Sequence, residues 1–258
     1  MSAYTPVEHK AQPETVALFV SDIHLSPQMP KTAAAFFRFL DEHASHAQQL
    51  YLLGDIFEYW AGDDDIDDAF NRKVIDALRA LTDKGVMLCW IAGNRDFLAA
   101  DGFAQATGAT LLPDPFVADI AGRRVLLLHG DAQCTDDSDY MAFRTQVRNP
   151  DWQRAFLARP LAERKAIIEG MREGSRDAQR EKAMAIMDVN TDAIARLFSE
   201  YQSDLMIHGH THRPAVHRHE TGVRHVLPDW DCDHAQNRGG WLSIDTSGDI
   251  QSHSLPHF

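Results

Sequence analysis

The sequence is short of the features that mark several large protein classes. Its three cysteines, Cys89, Cys134 and Cys232, are scattered without paired spacing. That leaves no disulfide framework, suits a reducing cytosol and makes them packing residues. No apolar run approaches the ~20 residues of a membrane-spanning helix. The first stretch, MSAYTPVEHKAQPETVALFV, has no basic segment leading into an apolar one, so no secretory signal is expected. Positive charge is scarce: 25 Lys and Arg against 38 Asp and Glu leave a net charge of −13. A nucleic-acid partner is therefore not expected, because that role needs a basic face. Internal repeats and low-complexity tracts are absent, and no obligatory protein partner is evident.

What is present is an ordinary globular composition in 258 residues, 44% hydrophobic and 24% charged, enough for a full core in one domain spanning 1–258. Short apolar runs, each ending in a polar cluster, read as buried strands: VALFVSDIH, LYLLGD, VMLCWIAGNRD, RVLLLHGD and DLMIHGHTH. Helical patterns lie between the early ones, TAAAFFRFLDEH and DAFNRKVIDALRALTDKG, the second closed by Gly85. Such alternation predicts an α/β core with central parallel strands. FVADIAGRRVLLLH reads as a hairpin turning at Gly122, and VRHVLPDWD and GGWLSIDTSGDIQSHSL as further antiparallel strands. From Ser138 to about Thr191 the alternation stops. This stretch is helical throughout, punctuated by Pro150 and Pro160, and reads as an insertion between two core strands. Between Tyr140 and Lys182 it holds ten Lys/Arg and six Asp/Glu, a local balance of +4, so the rest of the chain carries −17.

The strand ends carry the chemistry. In MIHGHTHRP, His208, His210 and His212 alternate, and in an extended segment side chains two apart point the same way, roughly 7 Å apart. Neutral imidazole is the commonest metal ligand. The other strand ends contribute Asp22 and His24, Asp55, Asn94 and His129, all ligand types for borderline divalent metals. In open α/β sheets, sites form beyond the carboxyl ends of strands. Taken singly, a Gly-Asp after a strand is a turn and a His-rich segment a polar loop; five strand ends each delivering a ligand type point to one site. His217, His219, His225 and His234 read as solvated loop residues.

The order DxH, GD, GN, H, GHxH resembles the calcineurin-like metallophosphoesterases. The resemblance implies an α/β fold, a two-sheet β-sandwich flanked by helices with a helical cap insertion at about 138–191. It also implies two divalent metals, Mn²⁺ first among the choices. One would take Asp22, His24, Asp55 and His212; the other Asp55, Asn94, His129 and His210. Asp55 would bridge, its two oxygens suiting metals ~3.5–4 Å apart. His208 falls outside the GHxH pattern and is expected to support the strand end and not to bind metal.

GDIFEYWAGDDD, GNRDFL, LLHGDAQCTDD, AIMDVN and HGHTHRPAVH are further similar to the family of UDP-2,3-diacylglucosamine hydrolases, from about Leu18 to about His217. That resemblance implies hydrolysis of a pyrophosphate in a lipid-linked UDP-sugar by two-metal activation of water. It places the enzyme in the cytoplasm, peripheral on the inner-membrane surface. Catalytic roles would fall to Asp55, Asn94 and Arg95, the last able to clamp a phosphate with bidentate geometry. Substrate contacts would be Asn94, Arg95, Asp137, Ser175, Gln179, Lys182 and His210. Gln179 departs from the family, which often has asparagine there. The insertion would take up acyl chain with Phe143, Trp152, Phe156, Leu157, Leu161, Ile167, Ile168 and Met171. Two other readings compete. Hydrolysis of a soluble nucleotide is opposed by the insertion and Arg95, and a metal-free scaffold is opposed by the complete ligand set.

Overall fold

The computed structural model of the chain describes residues 14–181, 188–234 and 237–256, with the side chains of 172–181 outside that description. Layering begins in β1 (Thr15–Val20). Successive strand residues face opposite ways, yet Ala17, Leu18, Phe19 and Val20 are all buried. A strand apolar on both faces needs cover on both. Leu18 and Val20 pack with Phe36, Phe39 and Val74 on the helical side. Ala17 and Phe19 meet Ile120, Val125, Leu205 and Ile207 of a second sheet.

After β1 come α1 (Pro30–Glu42), β2 (Gln49–Leu53), α2 (Ala69–Asp83), β3 (Met87–Ile91), α3 (Asp101–Thr107) and β4 (Thr110–Leu111). Then β5 (Phe116–Ile120) and β6 (Arg123–Leu127) form the expected hairpin, turning through Ala121 and Gly122. Between β6 and β7 (Leu205–His208) the chain is helical: α4 (Ser138–Val147), α5 (Pro150–Leu157), α6 (Leu161–Glu181) and α7 (Thr191–Tyr201). Asp137, Asn149 and Asn190 cap α4, α5 and α7 with their side chains, and Pro160 separates α5 from α6. The chain closes with β8 (Ala215–His219), β9 (Gly222–Val226), β10 (Gly240–Asp245) and β11 (Ile250–Ser254).

One sheet has the order β11-β10-β1-β2-β3-β4, the other β5-β6-β7-β9-β8. β1 to β4 are mutually parallel, as the alternation predicts, with β10 antiparallel to β1. Two expectations need correction. β9 is not simply antiparallel: it runs parallel to β7 and antiparallel to β8. β8 is an edge strand with little burial, so no apolar signal announces it. Consequently His217 and His219 lie on β8 and His225 on β9, and these are partly buried strand residues, not loop residues. Their environment lowers the pKa of all three, through burial first and nearby Arg224, or Arg123 and Arg218, second. His234 does sit in a loop, with Nδ1 2.9 Å from an Asp231 oxygen.

Candidate metal centre

β1, β2, β3, β6 and β7 end at the same edge of the paired sheets, and the loops that leave them are laced together by their backbones. Asp22 N donates to Gly54 O at 3.0 Å, Ile23 N and His24 N both donate to Asp55 O at 2.9 and 3.0 Å, and Gly209 N donates to His129 O at 2.9 Å. Among the described residues, seven that are not glycine have positive φ: Asp22, His24, Asp55, Ala121, Gln202, His210 and His212. Five of them are expected ligands. Left-handed backbone at a side-chain-bearing residue costs roughly 1 kcal/mol or more. Here it turns each chain sharply after its strand and aims the side chain across the edge.

Asp22, His24 and His212 offer ligand atoms that all lie within 4.8 Å of one another, and so do Asp22, Asp55 and His129. Asp22 therefore stands in both groups, an overlap the motif order does not reveal. The electrostatics of both groups call for a cation. His129 is fully buried and its Nδ1 lies 2.8 Å from Leu53 O, an acceptor only, so Nδ1 carries a proton and Nε2 is the nitrogen left to bind a metal. Nε2 faces Asn94 Oδ1 at 3.1 Å and Asp55 Oδ1 at 3.7 Å. Burial opposes a charge on this ring, but Asp55, Asp22 and Asp131 outweigh it and lift its pKa to about 9, so without a cation Nε2 also binds a proton, whose place a metal would take. In the other group His24 Nε2 and His212 Nε2 stand 3.3 Å apart, with Asp22 Oδ1 3.4 Å from His212 Nε2. Asp22 Oδ1 is buried and has no hydrogen-bond partner. Burial would raise the Asp22 carboxyl, yet His212, His129 and His24 hold it well below the usual carboxylate range. Buried carboxylates and imidazoles that draw protons toward one another this strongly fit divalent metal in the protons' place.

Supporting groups orient these ligands, and the motif order points to none of them. Glu58 Oε2 lies 3.1 Å from His24 Nδ1, and Asp229 Oδ2 lies 3.5 Å from His212 Nδ1. Asp96, buried, accepts from Gly93 N and Ile56 N at 2.8 Å each, tying the β3 loop to the β2 loop. Burial and the adjacent Asp55 charge push its carboxyl up to about 6. Asp131 accepts from Arg144 Nε at 2.8 Å and Tyr140 Oη at 3.0 Å, docking α4 beside the centre.

His208 is fully buried and both its ring nitrogens are engaged. Arg224 can only donate, so His208 Nε2 accepts from it at 2.9 Å; Nδ1 then donates to Gly209 O at 2.9 Å. No lone pair is left for a metal. Burial, then Arg224, push the His208 pKa down to about 3. Because folding depresses it below its unfolded value near 6.5, the neutral ring contributes stability above pH ~6.5 that is lost as pH falls toward 3. Acid unfolding followed by circular dichroism should show His208→Gln with a shallower loss over that window, by up to ~1.4 kcal/mol per pH unit. An unchanged slope would mean that the ring is not held neutral.

The remaining expected residues divide. His210 sits beside His129, ring centroids 5.0 Å apart, and its backbone N donates to Asp22 Oδ2 at 2.8 Å. Arg95 N donates to Asp55 Oδ1 at 2.7 Å, while its Nε is buried without a hydrogen-bond partner. Asp137 caps α4 through Tyr140 N at 3.0 Å and also lines the adjoining cavity. Ser175 and Gln179 fall on the part of α6 whose side chains are outside the described residues, and Lys182 lies outside them altogether. The cavity, about 580 Å³, is lined by His24, Asp55, Asn94, Arg95, His210 and His212 together with apolar residues that include Trp60, Phe97, Phe143, Trp152, Phe156 and Ile168. Leu157, Leu161 and Ile167, expected among the acyl contacts, lie outside this lining, while Met171 belongs to it.

Residues 16–214 match the model of the calcineurin-like phosphoesterase family. The UDP-2,3-diacylglucosamine hydrolase of Aromatoleum aromaticum is 52% identical over 221 residues, covering 84% of this chain and 90% of that protein. Its namesake from Cellvibrio japonicus is 49% identical, covering 83% and 90%. The one from Escherichia coli O81 is 47% identical over 245 residues, covering 93% and 98%.

Proposed function

The chain belongs to the calcineurin-like phosphoesterase family, and from that membership and the site beneath it we propose that it is a UDP-2,3-diacylglucosamine hydrolase. It cleaves the pyrophosphate bond to give UMP and 2,3-diacylglucosamine 1-phosphate, in lipid A biosynthesis. The observation that carries this reading is the continuity of the cavity: one space of about 580 Å³ joins the metal-ligand side chains to aromatic and aliphatic residues of α4, α5 and α6. That size lies within the roughly 300–1,000 Å³ of small-molecule sites. A soluble nucleotide would leave the apolar wall without a role.

Asp22, His24, Asp55 and His212 would hold one cation, and Asp55, Asn94, His129 and His210 the other, with Mn²⁺ the preferred metal. When bound, such cations supply Lewis acidity to the phosphoryl oxygens and acidify water for attack on phosphorus. The chain's own part is positional. Arg95, held by its backbone against Asp55, lines the cavity, where a guanidinium neutralises charge on a phosphoryl oxygen. Leu53 O holds a His129 proton on Nδ1, so that Nε2 is the nitrogen presented to a cation. The leaving group, a sugar phosphate, departs as a stable anion, so no side chain need protonate it.

The α4–α6 segment acts as a cap inserted in a single domain. Its stretch from Tyr140 to Lys182 has the +4 balance, and it exposes Phe143, Leu157 and Met171, which supports peripheral binding to the cytoplasmic face of an anionic membrane, at ~1 kcal/mol per basic residue near the surface. Among the described residues no helix is long and apolar enough to cross one.

The protein reconstituted with Mn²⁺ should release UMP from UDP-2,3-diacylglucosamine, lose that activity on chelation, and approach two metals per chain by elemental analysis. Faster turnover of cyclic or dinucleoside phosphates than of the lipid would establish the soluble-nucleotide reading. A saturated content below one metal would remove the two-metal centre.

A further inference from the structure

The run Gly62-Asp63-Asp64-Asp65 marks the hydrolase resemblance, yet it contributes no atom to the metal centre. Its carboxylates diverge. Asp63 turns into its own side of the molecule, accepting from Trp60 Nε1 at 3.0 Å, Phe103 N at 3.1 Å and Ala100 N at 3.2 Å. Asp64 and Asp65 reach across to consecutive residues of α6. Asp64 Oδ2 accepts from Arg164 Nη2, and Lys165 Nζ lies 2.7 Å from Asp65 Oδ1.

Arg164 is buried to 1% exposure, and its guanidinium also donates to Ala61 O and, at 3.1 Å, to Arg159 O. A rigid fork satisfied in three directions admits one seat for the helix. The approach is close enough to require glycine at position 62: a Cβ there would overlap Arg164 Nη1 and stand 2.7 Å from Leu157 Cδ2. Each pair has one buried member, Arg164 and Asp65, whose charge needs its partner in one place, and such a need sets register more than it adds net stability.

Register matters here because of what else the two elements hold. Ile168 and Met171 lie one and two turns beyond Arg164 on the same face of α6, and both line the cavity. Tyr59 and Trp60, immediately before the run, line the same cavity, and Trp60 N donates to Arg95 O at 3.0 Å. One loop thus ties a wall of α6 to a wall of the core and to the residue facing the phosphate.

We propose that Asp64–Arg164 and Asp65–Lys165 form a latch that seats α6 over the metal centre and so sets the dimensions of the acyl-chain cavity. These are positioning residues, and the proposal rests on the hydrolase reading above. The test uses Asp65→Asn combined with Lys165→Gln, so that no charge is stranded, and separately Asp64→Asn, whose carboxylate is 59% exposed. Lys165→Arg serves as the charge-preserving control. Kinetics are measured below the micellar concentration on UDP-linked diacyl sugars of stepped acyl length, together with metal content and melting temperature.

For the longest chains, KM should rise about tenfold or more with little change in kcat, a loss typical of misplaced binding surface. The difference should shrink as the chains shorten, with metal content unchanged and Lys165→Arg close to wild type. Equal losses at every chain length, or none at any, would overturn the latch while leaving the acyl cavity in place. A flat dependence on chain length in the wild type would instead overturn the acyl cavity itself, and the latch with it.

Discussion

Asp55→Ala should lower kcat/KM on the UDP-linked diacyl sugar by on the order of a thousandfold or more, ~4 kcal/mol of transition-state stabilisation. Bound Mn²⁺ should fall with it. The carboxylate is buried, lies 3.7 Å from His129 Nε2 and accepts from Arg95 N at 2.7 Å. On the proposed ligand set its removal takes away the shared ligand, and it also strands a buried imidazole and frees the Arg95 backbone. His208→Ala is the comparison. Both of its nitrogens are committed to Arg224 and Gly209, so this variant should keep its metals. It should instead lose ~1–3 kcal/mol of stability from the buried Arg224 donor left unpaired, and turnover by no more than the 10–100-fold typical of a residue supporting a ligand. Comparable losses of turnover in two folded variants would reassign His208 to the centre.

Gly209→Ala should be nearly as damaging, although it adds one methyl group and removes nothing. The glycine is there for proximity: a Cβ would overlap Asp22 Oδ2 and Ser21 Oγ and lie 2.7 Å from Ser21 Cβ. The backbone cannot retreat, because Gly209 N is bonded to His129 O, while Gly209 O accepts from Thr211 N at 2.8 Å and from the buried His208 ring. Asp22 must therefore move, and with it a ligand that belongs to both groups. A displacement of about 1 Å at such a site costs on the order of a hundredfold, and metal affinity measured by titration should weaken alongside kcat/KM. Gly170→Ala is the control. It lies in α6 with open space around its Cβ, so it should leave activity alone and stabilise the helix by roughly 0.5–1 kcal/mol. Normal metal affinity in a folded Gly209→Ala variant would show that Asp22 binds nothing from this position.

What the sequence by itself determined about this protein is everything that depends on near neighbours. Apolar runs closing in Asp22-x-His24, Gly54-Asp55, Gly93-Asn94, His129 and Gly209-His210-Thr211-His212 carry strand and ligand together, because the chemistry sits within a few residues of the periodicity that shapes it. Helix-friendly stretches between Ser138 and Glu181 likewise declare α4, α5 and α6. Only the tertiary structure decided matters that depend on distant partners. The direction of β9 is set by β7, and the weakly buried edge strand β8 carries no signal of its own. Glu58 and Asp229 are acidic residues like any others until His24 and His212 come to rest beside them. The GHxH pattern already leaves His208 out, but what occupies its lone pair, Arg224 sixteen residues on, appears only in the fold. Asp64 and Asp65 become a latch only when Arg164 and Lys165, about a hundred residues later, arrive on α6. Periodicity and spacing are properties of a chain read along its length, whereas a lone pair is free or spoken for according to what folding brings against it from elsewhere.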